Sequence, residues 1–215
     1  MDFSEWEPIY LEILEDLGID RSDDENSVRI LKAVTLGSDL RSGDDAAEIM
    51  GDIVTVVGNA PCLEEDLDSK GLEGTVICSG SAVGRLMARG VVPDMVFTDL
   101  DGDIGPQIEA SSKGVFTFIH AHGDNSDLIV RYAPSFPGPV VLTTQSEPEY
   151  TVFDYGGFTD GDRAVCFAEH FGAGTVRLVG FDYEDPMPKE GSDPVMKARK
   201  LSWAKRIISA FPNIA

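Results

Sequence analysis

Basic residues, histidine and cysteine are all scarce in this chain of 215 residues. Lysine and arginine number 17 against 38 aspartates and glutamates, a formal net charge of −21. A nucleic-acid groove needs clustered cations, so nucleic acid is excluded as a partner. An anionic membrane surface is excluded for the same reason. No apolar run reaches the roughly 18 residues of a bilayer span. The start of the chain, Met1-Asp2-Phe3-Ser4-Glu5, lacks the basic and apolar regions of a signal peptide, so a cytoplasmic protein is expected. Cys62, Cys78 and Cys166 are odd in number and never spaced C-x-x-C, which reads as reduced thiols serving as packing residues. Three scattered histidines and three scattered cysteines make a structural zinc site an unexpected outcome. Walker A, G-x-G-x-x-G and G-x-S-x-G are absent, which argues against a P-loop enzyme, an ordinary NAD-binding protein and an α/β-hydrolase.

What is present is ordinary globular composition, 42% hydrophobic and 26% charged, enough for one domain or one core with an appendage. Residues 1–50 form the appendage, with 14 acids against 4 bases. Trp6, Ile9, Tyr10, Ile13, Leu14 and Leu17 share a helical face, with a capping box expected at Ser4 and Glu7 and Gly18 as the C′ residue. A second helix is expected after a box at Ser22 and Glu25, carrying Val28, Leu31 and Val34. Both helices are expected to pack on the core.

Residues 51–215 change rhythm. Apolar runs at Ile53–Val57, Thr75–Ser79, Met95–Thr98, Val115–His120, Val140–Thr144 and Val176–Gly180 read as strands buried on both faces. Helical segments at Pro61–Asp68, Ser81–Arg89, Asn125–Tyr132 and Asp160–Phe171 alternate with them. The expected fold is α/β and Rossmann-like: a mostly parallel sheet of about six strands flanked by helices, with right-handed crossovers. The last thirty residues carry 6 bases against 2 acids, and Lys197 and Lys200 lie within one helical turn. Intramolecular charge balance and phosphate contact are both open readings of that basic element.

Ligands of such sheets bind beyond the carboxyl ends of the strands. Every expected exit here is polar or glycine-rich. Asp99, Asp101 and Asp103 form the densest acidic cluster, and carboxylates so close repel unless a cation or protons intervene. Mg²⁺ suits them, since it takes oxygen ligands and keeps waters for a phosphate substrate. On a continuing strand Asp99 and Asp101 would share a face, although Gly102 suggests a turn. A solvated turn with capping aspartates is the alternative. An EF-hand fails, because Ile104 and Ala110 stand where glycine and glutamate are required. In His120-Ala121-His122-Gly123-Asp124-Asn125, Asp124 is a further candidate ligand or a helix cap, and His122 a candidate base or orienting group. Gly58-Asn59 and Gly80-Ser81 can offer backbone N–H groups to phosphate. Thr144 and Gln145 can read a base or ring edge. Arg163, in the first turn of a helix opened by Gly156-Gly157, can pair with phosphate, within a cationic patch drawn from Arg85, Arg163, Lys197 and Lys200.

Four segments carry a resemblance: Thr98-Asp99-Leu100-Asp101-Gly102, His120-Ala121-His122-Gly123-Asp124-Asn125, Gly156-Gly157-Phe158-Thr159-Asp160-Gly161-Asp162-Arg163, and Leu178-Val179-Gly180-Phe181-Asp182. In this order the sequence resembles the archaeal 6-hydroxymethyl-7,8-dihydropterin pyrophosphokinase family, from about Gly58 to the C-terminal helix. The histidine-containing segment is the most specific. The resemblance implies Mg²⁺-dependent transfer of diphosphate from ATP to the pterin hydroxymethyl group, releasing AMP, in tetrahydromethanopterin or folate-type synthesis. It also implies a core similar to thiamine pyrophosphokinases, whose metal-holding aspartates match Asp99, Asp101 and Asp124. Those enzymes carry a C-terminal β-sandwich, whereas only about thirty residues follow Asp182 here.

On this reading Asp99, Asp101 and Asp124 hold the metal and His122 is a catalytic candidate. Gly58, Asn59, Gly80, Ser81, Thr144, Gln145, Arg163, Lys197 and Lys200 take the nucleotide, and Asp103, Asn125 and Asp182 take the pterin. Asp103 is a second candidate base. ATP and a pterin are the expected partners, and a homo-oligomer is compatible with the sequence. The rival readings are a thiamine pyrophosphokinase-like enzyme with another acceptor, a non-enzymatic Mg-nucleotide-binding regulator, and a nucleotide-sugar transferase.

Overall fold

The computed structural model describes residues 1–123, 125–185 and 193–215. Seven parallel strands form one sheet in the order β1-β6-β5-β4-β3-β2-β7. They are β1 (Asp39–Leu40), β2 (Ile53–Val57), β3 (Thr75–Ser79), β4 (Met95–Thr98), β5 (Phe116–Ala121), β6 (Pro139–Thr144) and β7 (Thr175–Val179). The extra strand beyond the six expected is β1, which pairs with β6 at the sheet edge. The helices are α1 (Phe3–Leu17), α2 (Arg21–Val34), α3 (Gly43–Ala47), α4 (Leu63–Lys70), α5 (Val83–Ala88), α6 (Ile104–Ser112), α7 (Ser126–Tyr132), α8 (Asp160–His170) and α9 (Pro194–Ile208).

Alternation along the strands sends neighbouring residues to opposite faces. Val54, Val56, Ile77, Met95, Phe97, Phe118 and Val141 meet Ala164, Phe167 and Ala168 of α8. Phe97 stacks on Phe118 at 4.1 Å between ring centroids, and Phe167 meets Phe118 edge-on at 4.7 Å. On the other face Val57, Val76, Cys78 and Val96 lie against Leu63, Val83 and Leu86 of α4 and α5. Ile119 and Leu142 continue that face against α2, α6 and α7. Burial on both faces is why the strands are almost continuously apolar.

Trp6, Tyr10 and Ile13 of α1 are fully buried with Cys166 and Ile207 of α8 and α9. Both expected caps are displaced. The N-cap of α1 is Asp2, whose N–H donates to the Glu5 carboxylate at 2.9 Å, and not Ser4. An earlier start adds Phe3 to the cluster around Trp6. Asp20, not Ser22, caps α2 and accepts from Ser22 N at 2.9 Å, because Gly18 in the left-handed conformation (φ 69°) lets the chain turn at once. The outer edge of β7 is covered by the chain end, with Val176 N donating to Asn213 O and Ala215 N to Val176 O. The three cysteines are free thiols. No helix among the described residues is long and apolar enough to cross a membrane.

Candidate active site

Because every strand is parallel, all exits open on one edge of the sheet. The chain steps outward from β2 to β6 and then returns through α8 to place β7 beside β2. The reversal makes a crevice between the exits of β2 and β7, where open α/β sheets take ligands. The two exits close tightly on each other. Gly58 N donates to Val179 O and Ala60 N to Gly180 O, both at 2.9 Å. A Cβ at Gly58 would stand 2.6 Å from Gly180 O, so only glycine fits there. Phe181 lies over this junction, 3.1 Å from the same point.

The crevice opens into a cavity of about 830 Å³ that runs along the exits of β2, β3, β4, β5 and β6. Its lining includes Gly58, Asn59, Ser81, Asp99, Asp101, Asp103, His122, Gln145, Arg163, Asp182, Lys197 and Lys200, so these expected site residues share one cleft. Among the described residues, three do not line it. Gly80 is buried against Thr98 and Gln107. Thr144 is 2% exposed and its hydroxyl meets Ser146 Oγ at 3.1 Å, since β6 runs on to this residue and turns the side chain inward. Asn125 is 2% exposed and binds backbone. Asp124 lies outside the described residues. Arg85 does not itself line the cleft but donates to Asn59 Oδ1 at 2.8 Å and pairs with Glu64.

The aspartate loop departs from the expected strand geometry. Strand β4 ends at Thr98, and Leu100 is buried in the left-handed region at φ 66°. A non-glycine residue held there stores strain of about 1–3 kcal/mol, which surrounding contacts must offset. Leu100 N donates to Thr98 Oγ1 at 2.9 Å, and the Leu100 side chain packs with Ile104 and Ile119. The turn brings Asp101 N within 3.3 Å of Asp99 Oδ1. Asp103 caps α6 by accepting from Gly105 N at 3.1 Å. Asn125 fastens the loop from below: its Nδ2 donates to Asp99 O at 2.9 Å and His120 O at 2.7 Å, while its Oδ1 accepts from His122 N at 3.0 Å. His122 Nε2 then lies 3.5 Å from Asp99 Oδ2.

The donor set of Asp99 and Asp101 is carboxylate oxygen, which fits a hard cation such as Mg²⁺ that retains several waters. Among the described residues no three His, Cys, Asp or Glu side chains form a metal cluster. His120 is buried, with Nδ1 on Thr143 Oγ1 at 3.1 Å. Burial, reinforced by Arg163, pushes its pKa well below the usual imidazole range, so it is a neutral part of the floor.

Arg163 is the deepest cation of the cleft, 5% exposed. Its Nη2 donates to Phe158 O at 2.6 Å and Gln145 Oε1 at 3.4 Å, and its Nη1 lies 3.3 Å from Asp160. Lys200 Nζ stands 5.7 Å from the centre of the Phe158 ring. The α1–α2 corner adds acidic groups to the lining: Asp20, Asp23 and Asp24. Sequence reasoning missed that corner, although Asp24 falls on the same stripe of α2 as Val28 and Leu31, an unusual place for a carboxylate.

Comparisons with known proteins return one family and one name. The family model described as 6-hydroxymethylpterin diphosphokinase MptE-like matches residues 36–186, from before β1 to beyond β7. A Pyrococcus furiosus protein named 6-hydroxymethyl-7,8-dihydropterin pyrophosphokinase is 37% identical over 213 residues, covering 96% of this chain and 89% of its own. A Methanothermobacter thermautotrophicus protein of the same name is 36% identical, covering 97% of this chain and 94% of its own. A third of that name, from Methanocaldococcus jannaschii, is 31% identical with coverages of 97% and 95%.

Proposed function

The chain belongs to the 6-hydroxymethylpterin diphosphokinase MptE-like family, and from that premise we propose that it transfers diphosphate from ATP to the hydroxymethyl group of 6-hydroxymethyl-7,8-dihydropterin, releasing AMP. The observation that carries this reading is that the aspartates at the exit of β4 share one cleft with the cations of α8 and α9. Polyphosphate needs both: a metal held by carboxylates and fixed positive groups in a strongly acidic protein.

Asp99 and Asp101 would hold Mg²⁺, with Asp124 as a third ligand. When bound, the ion neutralises phosphate oxygens and the charge that develops on the transferred group. Arg163, Lys197 and Lys200 bind the phosphates, with Arg163 pre-aimed by its contacts to Phe158 and Gln145. Gly58, Asn59 and Gly180 line the same cleft and would take the nucleotide there. His122, held by the Asn125 turn against Asp99, orients the acceptor hydroxyl, whose oxygen attacks the β-phosphorus as AMP departs and its proton passes to solvent. Catalysis of this kind is positioning and electrostatics, with no covalent nucleophile on the protein. The diphosphorylated pterin carries a good leaving group on its methylene carbon, which suits a step of tetrahydromethanopterin or folate-type synthesis in the cytoplasm.

The test is AMP formation from ATP and Mg²⁺ with the pterin or with thiamine as acceptor. Pterin-dependent AMP supports the proposal. Formation with thiamine alone moves the chain to the thiamine pyrophosphokinase-like reading, and tight Mg-ATP binding without AMP moves it to a nucleotide-binding regulator.

A further inference from the structure

Asp24 of α2 is fully buried and receives three donors. Gly123 N donates to Oδ1 at 2.7 Å. The Tyr10 hydroxyl donates to Oδ2 at 2.5 Å and Gln145 Nε2 to the same oxygen at 2.9 Å. Burying a carboxylate is costly unless it is hydrogen-bonded in this way. Burial and the bond to Asp24 hold Tyr10 as a phenol, so it stays a donor. The Tyr10 bond fastens α1 to α2. The other two bonds reach the cleft.

Gln145 follows β6. Both Asp24 oxygens already accept, from Tyr10 and Gly123, so the nitrogen of the Gln145 amide must face Asp24 and its oxygen must face away. The oxygen is where Arg163 Nη2 donates, at 3.4 Å. The orientation of the Gln145 amide, and with it an acceptor for Arg163, is therefore dictated by Asp24. A Cβ at Gly123 would lie 2.7 Å from Asp23 Cβ, so α2 abuts the chain at Gly123 directly. The residue before it is His122, which lies 3.5 Å from Asp99.

We propose that Asp24 is a positioning residue for the transfer reaction: through Gln145 it aims the Arg163 guanidinium, and through Gly123 it sets the turn that holds His122 against Asp99. The role assigned rests on the diphosphotransferase reading of the cleft. It makes α2 a support of the cleft, supplying one carboxylate that joins the cation side of the cleft to the metal side.

The hydrogen-bond polarity gives the test. Asp24→Asn turns one acceptor into a donor that faces the Gln145 amide nitrogen. Gln145 must then flip, and two donors face each other at Arg163. Gln145→Glu alone sets two carboxylates against each other. In the double variant the amide introduced at position 24 donates to the carboxylate introduced at position 145, which again accepts from Arg163. Each single variant is expected to lower kcat/KM for ATP on the order of 10–100-fold. The double variant is expected to stand at least about tenfold above either single one. Tyr10→Phe removes the bond that only fastens the helices, and is expected to lower the melting temperature while keeping kcat/KM within about threefold. Mg-ATP affinity, measured by calorimetry on the same proteins, should follow the same order. That readout stands even if the wild type fails to phosphorylate the pterin, an outcome that would remove the function proposed above but not the positioning. Additive losses in the double variant, or a Tyr10→Phe variant as impaired as Asp24→Asn, would overturn the inference. An Asp24→Asn protein that folds only when paired with Gln145→Glu supports it, and a pair that also fails to fold contradicts it.

Discussion

The side-chain amide of Asn125 donates to the main-chain oxygen of Asp99 at 2.9 Å, so the exits of β4 and β5 are fastened to each other beneath the cleft. Asn125 is thus a tie between loops, buried beneath the cleft. Asn125→Ala removes the donor that this amide gives to the carbonyls of Asp99 and His120. A loss of about 2–3 kcal/mol in denaturant unfolding is expected, with at least about a tenfold fall in kcat. Unchanged stability would show that the tie does not hold the loop.

Asp101→Asn removes half of the paired carboxylates at the cleft while leaving the fold intact. Activity should fall by about 10²–10⁴-fold, and the Mg²⁺ concentration for half-maximal rate should rise. The melting temperature should hold or increase, since one of two neighbouring like charges is lost. A magnesium titration of the rate decides between metal binding and a solvated turn.

Replacing Lys197 and Lys200 together by glutamine should raise the KM for Mg-ATP by about tenfold with a smaller change in kcat. The effect should shrink as ionic strength rises, because these side chains stand at the cleft rim. A double variant with wild-type KM at low salt would assign the basic helix to intramolecular charge balance instead.

Asp154 gives a pH signature. It is buried, its Oδ2 has no partner among the described residues, and burial pushes its pKa from 3.8 up to about 8. The folded chain therefore holds this proton where the unfolded chain has released it. Stability from this group is full below pH ~4 and is lost as pH rises toward ~8. Asp154→Asn should remove that decline, so its stability relative to wild type should improve between pH 5 and 8 on the order of 3 kcal/mol. Parallel melting curves for the two proteins across that range would contradict the buried-acid assignment.

Strands β2 to β7 were legible because burial on two faces leaves runs with few polar residues. Strand β1 was not, since two residues at an edge carry no pattern. Helix α6 was hidden by Gly105 and Pro106, which read as loop but sit in a first turn where the proline's missing N–H costs nothing. The exits were legible as a group because a parallel sheet gathers them at one edge. Which of them reach the cleft was not: Thr144 and Gly80 turn inward through local backbone direction that composition does not encode. Asp24 escaped for a further reason. Its partners lie 14, 99 and 121 residues away, so only the folded chain brings them together.

The most direct measurement is the fate of each phosphorus of ATP, with the pterin as acceptor. Diphosphate transfer predicts that label at the γ position appears in the pterin product and label at the α position appears in AMP, in equal amounts. Label passing to the pterin with ADP as the second product, or AMP formed without labelled pterin, would contradict the account.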